Sequence, residues 1–302
     1  MHKTKENMND QEIKARSLWQ DAWRRFKKNK AAYIGFIFII LLVIISVATL
    51  GIDLFTKNAI YDKYVIEMNL ANKLAPPSWT HPFGQDEFGR DILLRIIWGT
   101  RYSLSLGVST VILSLIVGGL LGAVAGFYGE VMDNIIMRIM DVFLAIPPML
   151  MAISLVAALG KSLTNIVVAI AISYVPTFAR VVRASVLTIK NQDYVEAARS
   201  YGANDLRIIT KYILPNCLTP VIVQATLSVA SAILMIASLS FMGLGIQPPI
   251  PEWGAMLVNA RTYIRSGWHI TVLPGLAIML TLLAMNLMGD GLRDALDPKL
   301  KD

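Results

Sequence analysis

The chain has 302 residues, 55% of them hydrophobic and only 16% charged, and carries a net charge of +7. Soluble domains average about a quarter charged residues, so this composition, with its long uncharged runs, excludes a soluble globular protein and predicts an integral membrane one. The single cysteine, Cys217, excludes an internal disulfide framework and a multi-cysteine metal site.

Residues 1–30 form a basic leader with nine Lys or Arg against four acids. Trp19, Trp23 and Phe26 fall at helical spacing among Arg24, Arg25, Lys27, Lys28 and Lys30, which suits an amphipathic helix at the cytoplasmic membrane surface. An uncharged run follows at once, so membrane contact explains the basic charge better than nucleic acid. No cleavable signal is expected, because the run is too long for a signal core. Residues 31–52 predict the first span, about 30 Å long at the helical rise.

Residues 53–101, with six acids and six bases, read as an extracytoplasmic loop. Within it Ile92, Leu93, Ile96 and Ile97, set among Arg90, Asp91, Arg95 and Arg101, describe an interfacial helix. His81 precedes a proline and reads as a loop histidine without a partner. Residues 102–127 predict the second span, where Gly118, Gly122 and Gly126 give a small-residue face for close helix packing. A short loop over 129–141 leads to a third span, 142–160, broken by Pro147-Pro148; such breaks are tolerated facing protein or a water-filled cavity. Gly160-Lys161-Ser162 looks like the end of a phosphate loop, but Leu155 stands where that motif needs glycine, so the chain has no ATPase site of its own.

The fourth span is 163–179, with Pro176 near its end. The fifth is 218–246, and an outer loop over 247–268, carrying Glu252, Trp253, Arg261 and Arg265, leads to the sixth, 270–288. The five later spans form a core over 102–290, followed by a polar tail, 291–302. Six spans place both termini on one side. That side holds 19 of the 28 basic residues and the other holds 9, so the positive-inside rule predicts cytoplasmic termini. As drawn, the spans contain no Asp, Glu, Lys, Arg or His, which disfavours a proton- or sodium-driven carrier. His2, His81 and His269 form no metal-binding spacing, and no nucleophile elbow is present, so no metal and no catalytic residue is expected.

Between the fourth and fifth spans lies the polar stretch 193–216, within a coupling loop over 190–216. Asp193 and Tyr194 open a helical pattern, Glu196, Ala197 and Ala198 continue it, and Gly202 stands where a left-handed cap would end it. Asn204 and Asp205 start a second short helix, closed by Pro215. Two short helices pinned between membrane runs describe a knob presented to a soluble partner.

Glu196-Ala197-Ala198, Gly202 and Ile213-Leu214-Pro215, in that spacing, resemble the coupling motif of bacterial ABC-importer permeases, with Tyr212 where that family often has isoleucine. His81-Pro82-Phe83-Gly84, Gly89-Arg90-Asp91 and the tail elements Gly289-Asp290-Gly291-Leu292-Arg293 and Asp297-Pro298 resemble the dipeptide and oligopeptide subfamily. The resemblance implies an all-α, polytopic fold of six transmembrane helices of the type I importer kind, with a cytoplasmic coupling helix, in the plasma or inner membrane. It implies a heterodimer with a second homologous permease, two cytoplasmic ATPases that bind ATP-Mg, and an extracytoplasmic peptide-binding protein. This chain itself would bind no cofactor and no nucleic acid, and would not be an enzyme.

The helix of Asp193, Glu196 and Arg199 would dock on an ATPase, with Ala197 and Ala198 keeping it slim, Gly202 turning the chain, and Leu214 and Pro215 completing the motif. Oligopeptides are the expected cargo, with dipeptides or nickel as alternatives, and no residue is singled out for substrate contact. An ATP-independent channel or carrier is the competing class.

Overall fold

The computed structural model describes residues 18–296; the leader before Leu18, including His2, and the last six residues of the tail lie outside the described residues. Among the described residues the fold is helical, in the order α1 Leu18–Lys28, α2 Lys30–Thr56, α3 Ala59–Tyr61, α4 Ile92–Tyr128, α5 Glu130–Ala145, α6 Pro148–Leu159, α7 Leu163–Ile189, α8 Asp193–Ser200, α9 Asp205–Ile208, α10 Leu218–Phe241, α11 Trp253–Ala260 and α12 Trp268–Leu296. Helices α2, α4, α7, α10 (with the turns from Asp205 that lead into it) and α12 are each long and apolar enough to cross a membrane. The pair α5 and α6, bent by 88° at its break, supplies a sixth crossing if counted as one span.

Helix α4 is the centre of the bundle, and its interface with α7 is the most extensive among the described residues. The glycine spacing explains this closeness. A Cβ at Gly118 or Gly122 would strike the carbonyl oxygens of Val175 and Ala179, and one at Gly126 would strike Val186. Removing those side chains lets two backbones approach to contact, which side-chain interdigitation alone does not allow. Helices α2, α10 and α12 pack around the other faces, with Ile39, Leu42, Leu104, Val229 and Ile233 in a shared core.

Several boundaries differ from the sequence reading. Helix α4 begins at Ile92, not near residue 102, so no separate interfacial helix exists and Arg95 and Arg101 lie inside the long helix, buried. Asp53, inside α2, accepts from Trp98 Nε1 at 3.1 Å and pairs with Arg101. The spans as drawn stay uncharged, but the helices run past them and take in Asp53, Arg95, Arg101, Arg180 and Arg183, whose partners come from distant parts of the chain.

The segment 129–141 is not a loop but most of α5, whose charged residues line one side of an amphipathic helix. Helix α7 runs on to Ile189, ten residues past the expected end, and Pro176 sits within it. The expected outer loop over 247–268 contains α11, folded into the core with Trp253 buried.

Candidate functional site

The knob is built by a short helix closed at both ends. Gln192 has extended backbone, φ −81° and ψ 145°, and α8 starts immediately after it, so Asp193 is the first helical residue and not the cap. At the other end Gly202 N donates to Arg199 O at 2.9 Å and Ala203 N to Ala198 O at 3.1 Å. That pair of bonds, with Gly202 at φ +78°, is a Schellman closure, a left-handed position that glycine occupies without steric cost. No atom lies within 4 Å of where a Gly202 Cβ would be, so backbone conformation and not crowding makes glycine fit there. Asn204 then caps α9, its Oδ1 accepting from Arg207 N at 3.0 Å.

Pro215 does not close α9. The chain continues through a wide π turn over Ile209–Ile213 and a tight 3-10 turn over Leu214–Cys217 directly into α10. Proline contributes no N–H, and the two irregular turns accommodate it without ending the helical path.

Helical spacing divides the knob into two faces. Val195 and Ala198 are buried, and Val195, with Ile208, Ile213 and Cys217, joins Ala123 and Phe127 of α4, Val182 and Val186 of α7, and Val221 of α10 in one core. Ala198 therefore packs against its own bundle and not outward. Cys217 is the small buried hydrophobe of this core. Leu214 packs against the same core, while Pro215 is exposed.

Asp193, Glu196, Ala197, Arg199 and Gly202 are exposed, and the Arg199 guanidinium lies 5.8 Å from the Phe127 ring centroid. The sequence reading missed Tyr201 and Leu206, which are 92% and 70% exposed on the same knob. An aromatic in a helix-closing turn and a leucine in the first turn of α9, both flanked by polar residues, were the available signal.

The knob is tied to the helices above it. Lys190 Nζ donates to Gly126 O at 2.9 Å, closing the last turn of α4 from the end of α7. Two further pairs join α7 to α5: Arg180 to Asp141 at 2.5 Å, and Arg183 to Asp133 through Nε at 2.9 Å and Nη2 at 2.5 Å. In the crook of the α5–α6 bend is a wholly apolar hollow of about 540 Å³, lined by Val117, Leu121, Met140, Phe143, Met151 and Val175 among others.

The second motif, at the opposite end of α4, forms a structural knot. Asp91 caps α4, its Oδ1 accepting from Leu94 N at 2.8 Å, while its Oδ2 is 2.7 Å from His81 Nδ1. His81 therefore has a partner, contrary to expectation. Asp86 accepts from Arg90 N at 2.9 Å and Arg90 Nε at 2.7 Å, and Arg95 Nη1 donates to Val65 O at 2.8 Å. Glu87 is buried in this knot, and burial followed by the neighbouring Asp86 holds its carboxyl above the usual carboxylate range.

Nearby, Glu252 caps α11 through Gly254 N and Ala255 N, both at 2.8 Å, and accepts from Ser240 Oγ at 2.9 Å. These groups order the fold, and no reacting constellation surrounds them. Among the described residues no three His, Cys, Asp or Glu side chains are grouped to hold a metal ion.

Residues 118–302 match the family described as binding-protein-dependent transport system inner membrane component, and residues 17–77 match the N-terminal transmembrane domain of oligopeptide transport permease C. A di/tripeptide transport system permease protein of Pseudomonas aeruginosa is 47% identical over 289 residues, covering 94% of this chain and 93% of the relative. A dipeptide transport system permease protein of Alkalihalophilus pseudofirmus is 46% identical, covering 94% and 91%. A glutathione transport system permease protein of Pectobacterium atrosepticum is 44% identical, covering 95% and 93%. Among solved structures, the inward-facing MetNI methionine ABC transporter aligns with a TM-score of 0.56 at 18% identity, over 68% of this chain and 98% of that one, a likeness of fold.

Proposed function

The chain belongs to the family of binding-protein-dependent transport system inner membrane components, and from that premise we propose that it is the permease through which an ATP-driven importer takes up short peptides. It is a multi-pass membrane subunit and not itself an enzyme. Family membership implies a solute-binding protein and ATPases as partners. The finer reading is a heterodimer with a homologous permease, two ATPases that carry ATP-Mg on the cytoplasmic side, and cytoplasmic termini. Dipeptides, tripeptides and glutathione, the cargoes in the relatives' names, are the favoured substrates. Longer oligopeptides remain in the screen because the N-terminal segment matches an oligopeptide permease.

One observation supports the coupling role above all: α8 shows Glu196, Ala197 and Arg199 to solvent while Val195 anchors it to the core of α4, α7 and α10 and Ala198 is buried beneath it. A surface helix rooted in three long helices transmits displacement instead of absorbing it, because packed cores deform little. In this reading Glu196, Ala197, Arg199 and the Gly202 turn meet the ATPase, Asp193 starts the helix, and Leu214 with Pro215 shapes its return into α10. ATPase closure pushes the knob, and the helices swing between outward and inward access.

The test is peptide uptake by cells expressing Gly202→Asp or Gly202→Val, with membrane insertion and ATPase co-purification measured in parallel. Both variants strain the backbone at φ +78° but meet no neighbouring atom within 4 Å, so the disturbance stays in the turn and the reading expects normal insertion, weakened ATPase capture and lost uptake. Undiminished uptake would sink the coupling role. Solute flux through the purified chain alone, without ATPase, would favour a channel or carrier instead.

A further inference from the structure

We infer that α1 and the first residue of α2 form a docking surface for anionic phospholipid headgroups, with Arg24, Lys27, Lys28 and Lys30 as the cations that hold them. Sequence alone makes α1 an amphipathic helix whose apolar side would enter a bilayer. The structure gives that side to the protein. Ala22 and Phe26 are buried, Phe26 only 3% exposed, and Phe26 shares a core with Ala32, Tyr33 and Phe36 of α2 and Met288, Leu292 and Ala295 of α12.

Asn29 breaks the helix with extended backbone, φ −79° and ψ 96°, and its Oδ1 caps α2 by accepting from Ala32 N at 3.2 Å. Helix α1 is thus packed on the ends of α2 and α12 through Phe26. What remains outward is cationic: Arg24, Lys27, Lys28 and Lys30 are all exposed. Beside them Trp23 is 43% exposed, with Lys27 Nζ 5.0 Å from its ring centroid.

Position selects the occupant. Lys30 opens a helix that is uncharged up to Asp53, so the boundary of the apolar layer falls at the α1–α2 junction. Six residues of helix span about 9 Å, so all four cations stand within about one Debye length of the headgroups at physiological ionic strength. Basic clusters at this position attract anionic leaflets additively. An indole at the same level is the usual companion of a headgroup layer. A free phosphate or a nucleic acid would find the charge but would leave Trp23 unused. The inference rests on the membrane placement of α2 alone and holds whatever solute is carried.

The full-length protein, in complex with its partners, would be extracted in mild detergent and its retained phospholipids read by native mass spectrometry. Unfolding would then be followed in nanodiscs of phosphatidylcholine with or without about a third phosphatidylglycerol. Wild type should retain phosphatidylglycerol and unfold at a higher temperature in its presence. The variant R24Q/K27Q/K28Q/K30Q should lose roughly tenfold in retained phosphatidylglycerol and lose that temperature gain.

The variant K27R/K28R/K30R, which keeps the charge, should behave as wild type. The variant R261Q/R265Q, at the other end of α12, should keep its lipid. Equal retention of phosphatidylglycerol by wild type and the quadruple variant would overturn the inference. So would displacement of that lipid from wild type by an RNA oligonucleotide or inorganic phosphate at low concentration. Because the readouts are lipid retention and unfolding temperature, failure here leaves the transport reading intact, and failed transport leaves this one intact.

Discussion

Arg183 and Asp133 meet at two points, 2.9 and 2.5 Å, joining α7 to α5 on the stretch of α7 that leads into the knob. Under the proposed coupling role this pair would carry a motion of α8 to α5, which ends at the 88° bend beside the apolar hollow. The pair is partly exposed, so its static contribution is modest. A double-mutant cycle with Asp133→Asn and Arg183→Gln, read by unfolding in detergent, should give a coupling of about 0.5–1 kcal/mol. Uptake should fall severalfold in each single variant and recover in part in the exchanged pair D133R/R183D. Wild-type uptake in both singles would mean that the pair only decorates the surface.

The glycine stripe of α4 offers an internal control. Gly122 faces the Ala179 carbonyl with no room for a Cβ, whereas a Cβ on neighbouring Gly119 would meet Leu115 and Val182 at 3.7 and 3.9 Å, ordinary contacts. Gly122→Ala should cost about 1–3 kcal/mol, the range for forcing extra volume into a packed core. Gly119→Ala should be neutral or gain slightly from helix propensity. Thermal unfolding of the two purified variants decides it, and equal melting temperatures would contradict the close α4–α7 approach.

What the sequence made legible was the part governed by local rules. Long apolar runs gave the spans, the spacing of Gly118, Gly122 and Gly126 gave the packing face, and Gly202 gave the helix stop, because each depends on near neighbours. What stayed hidden depended on distant partners. Asp53 and Arg101, or Arg183 and Asp133, look like loop charges until the fold brings them together, and Asp53 and Arg101 each drew a predicted boundary inward from the true helix end. The same cause hid Ala198: Glu-Ala-Ala gives no sign of which alanine is buried until the rest of the fold is in place. Helix α1 shows the complementary limit, since an amphipathic face looks the same whether lipid or protein covers it, and Phe26 is covered by α2 and α12.

Glu87 gives the molecule a pH signature. Its carboxyl is raised above the ordinary value by burial and by Asp86, so the folded state binds its proton more tightly than the unfolded chain does. For this group, stability is complete below the unfolded carboxylate pKa of about 4.3 and declines as pH rises through the folded value. Glu87→Gln removes that decline. Its melting temperature relative to wild type should therefore rise between mildly acidic and neutral pH. A difference independent of pH would show that burial and Asp86 do not raise the carboxyl in the folded state.

Tyr201 and Leu206 are the large apolar residues that the knob leaves most exposed, and they lie by the Gly202 turn on the surface assigned to the ATPase. Aromatic anchors surrounded by polar residues are the usual hot spots of an interface. Their exposure means that truncation should cost the isolated chain almost no stability. Tyr201→Ala should weaken ATPase binding roughly tenfold, equivalent to about 1.4 kcal/mol, and Leu206→Ala should weaken it less. Both should leave the unfolding temperature unchanged. Trp79→Ala, at a fully exposed residue in the loop at the opposite end of α4, should affect neither. Binding of purified ATPase to the permease in nanodiscs separates these outcomes. Full affinity in the Tyr201→Ala variant would move the docking surface away from the turn and onto the polar face of α8 alone.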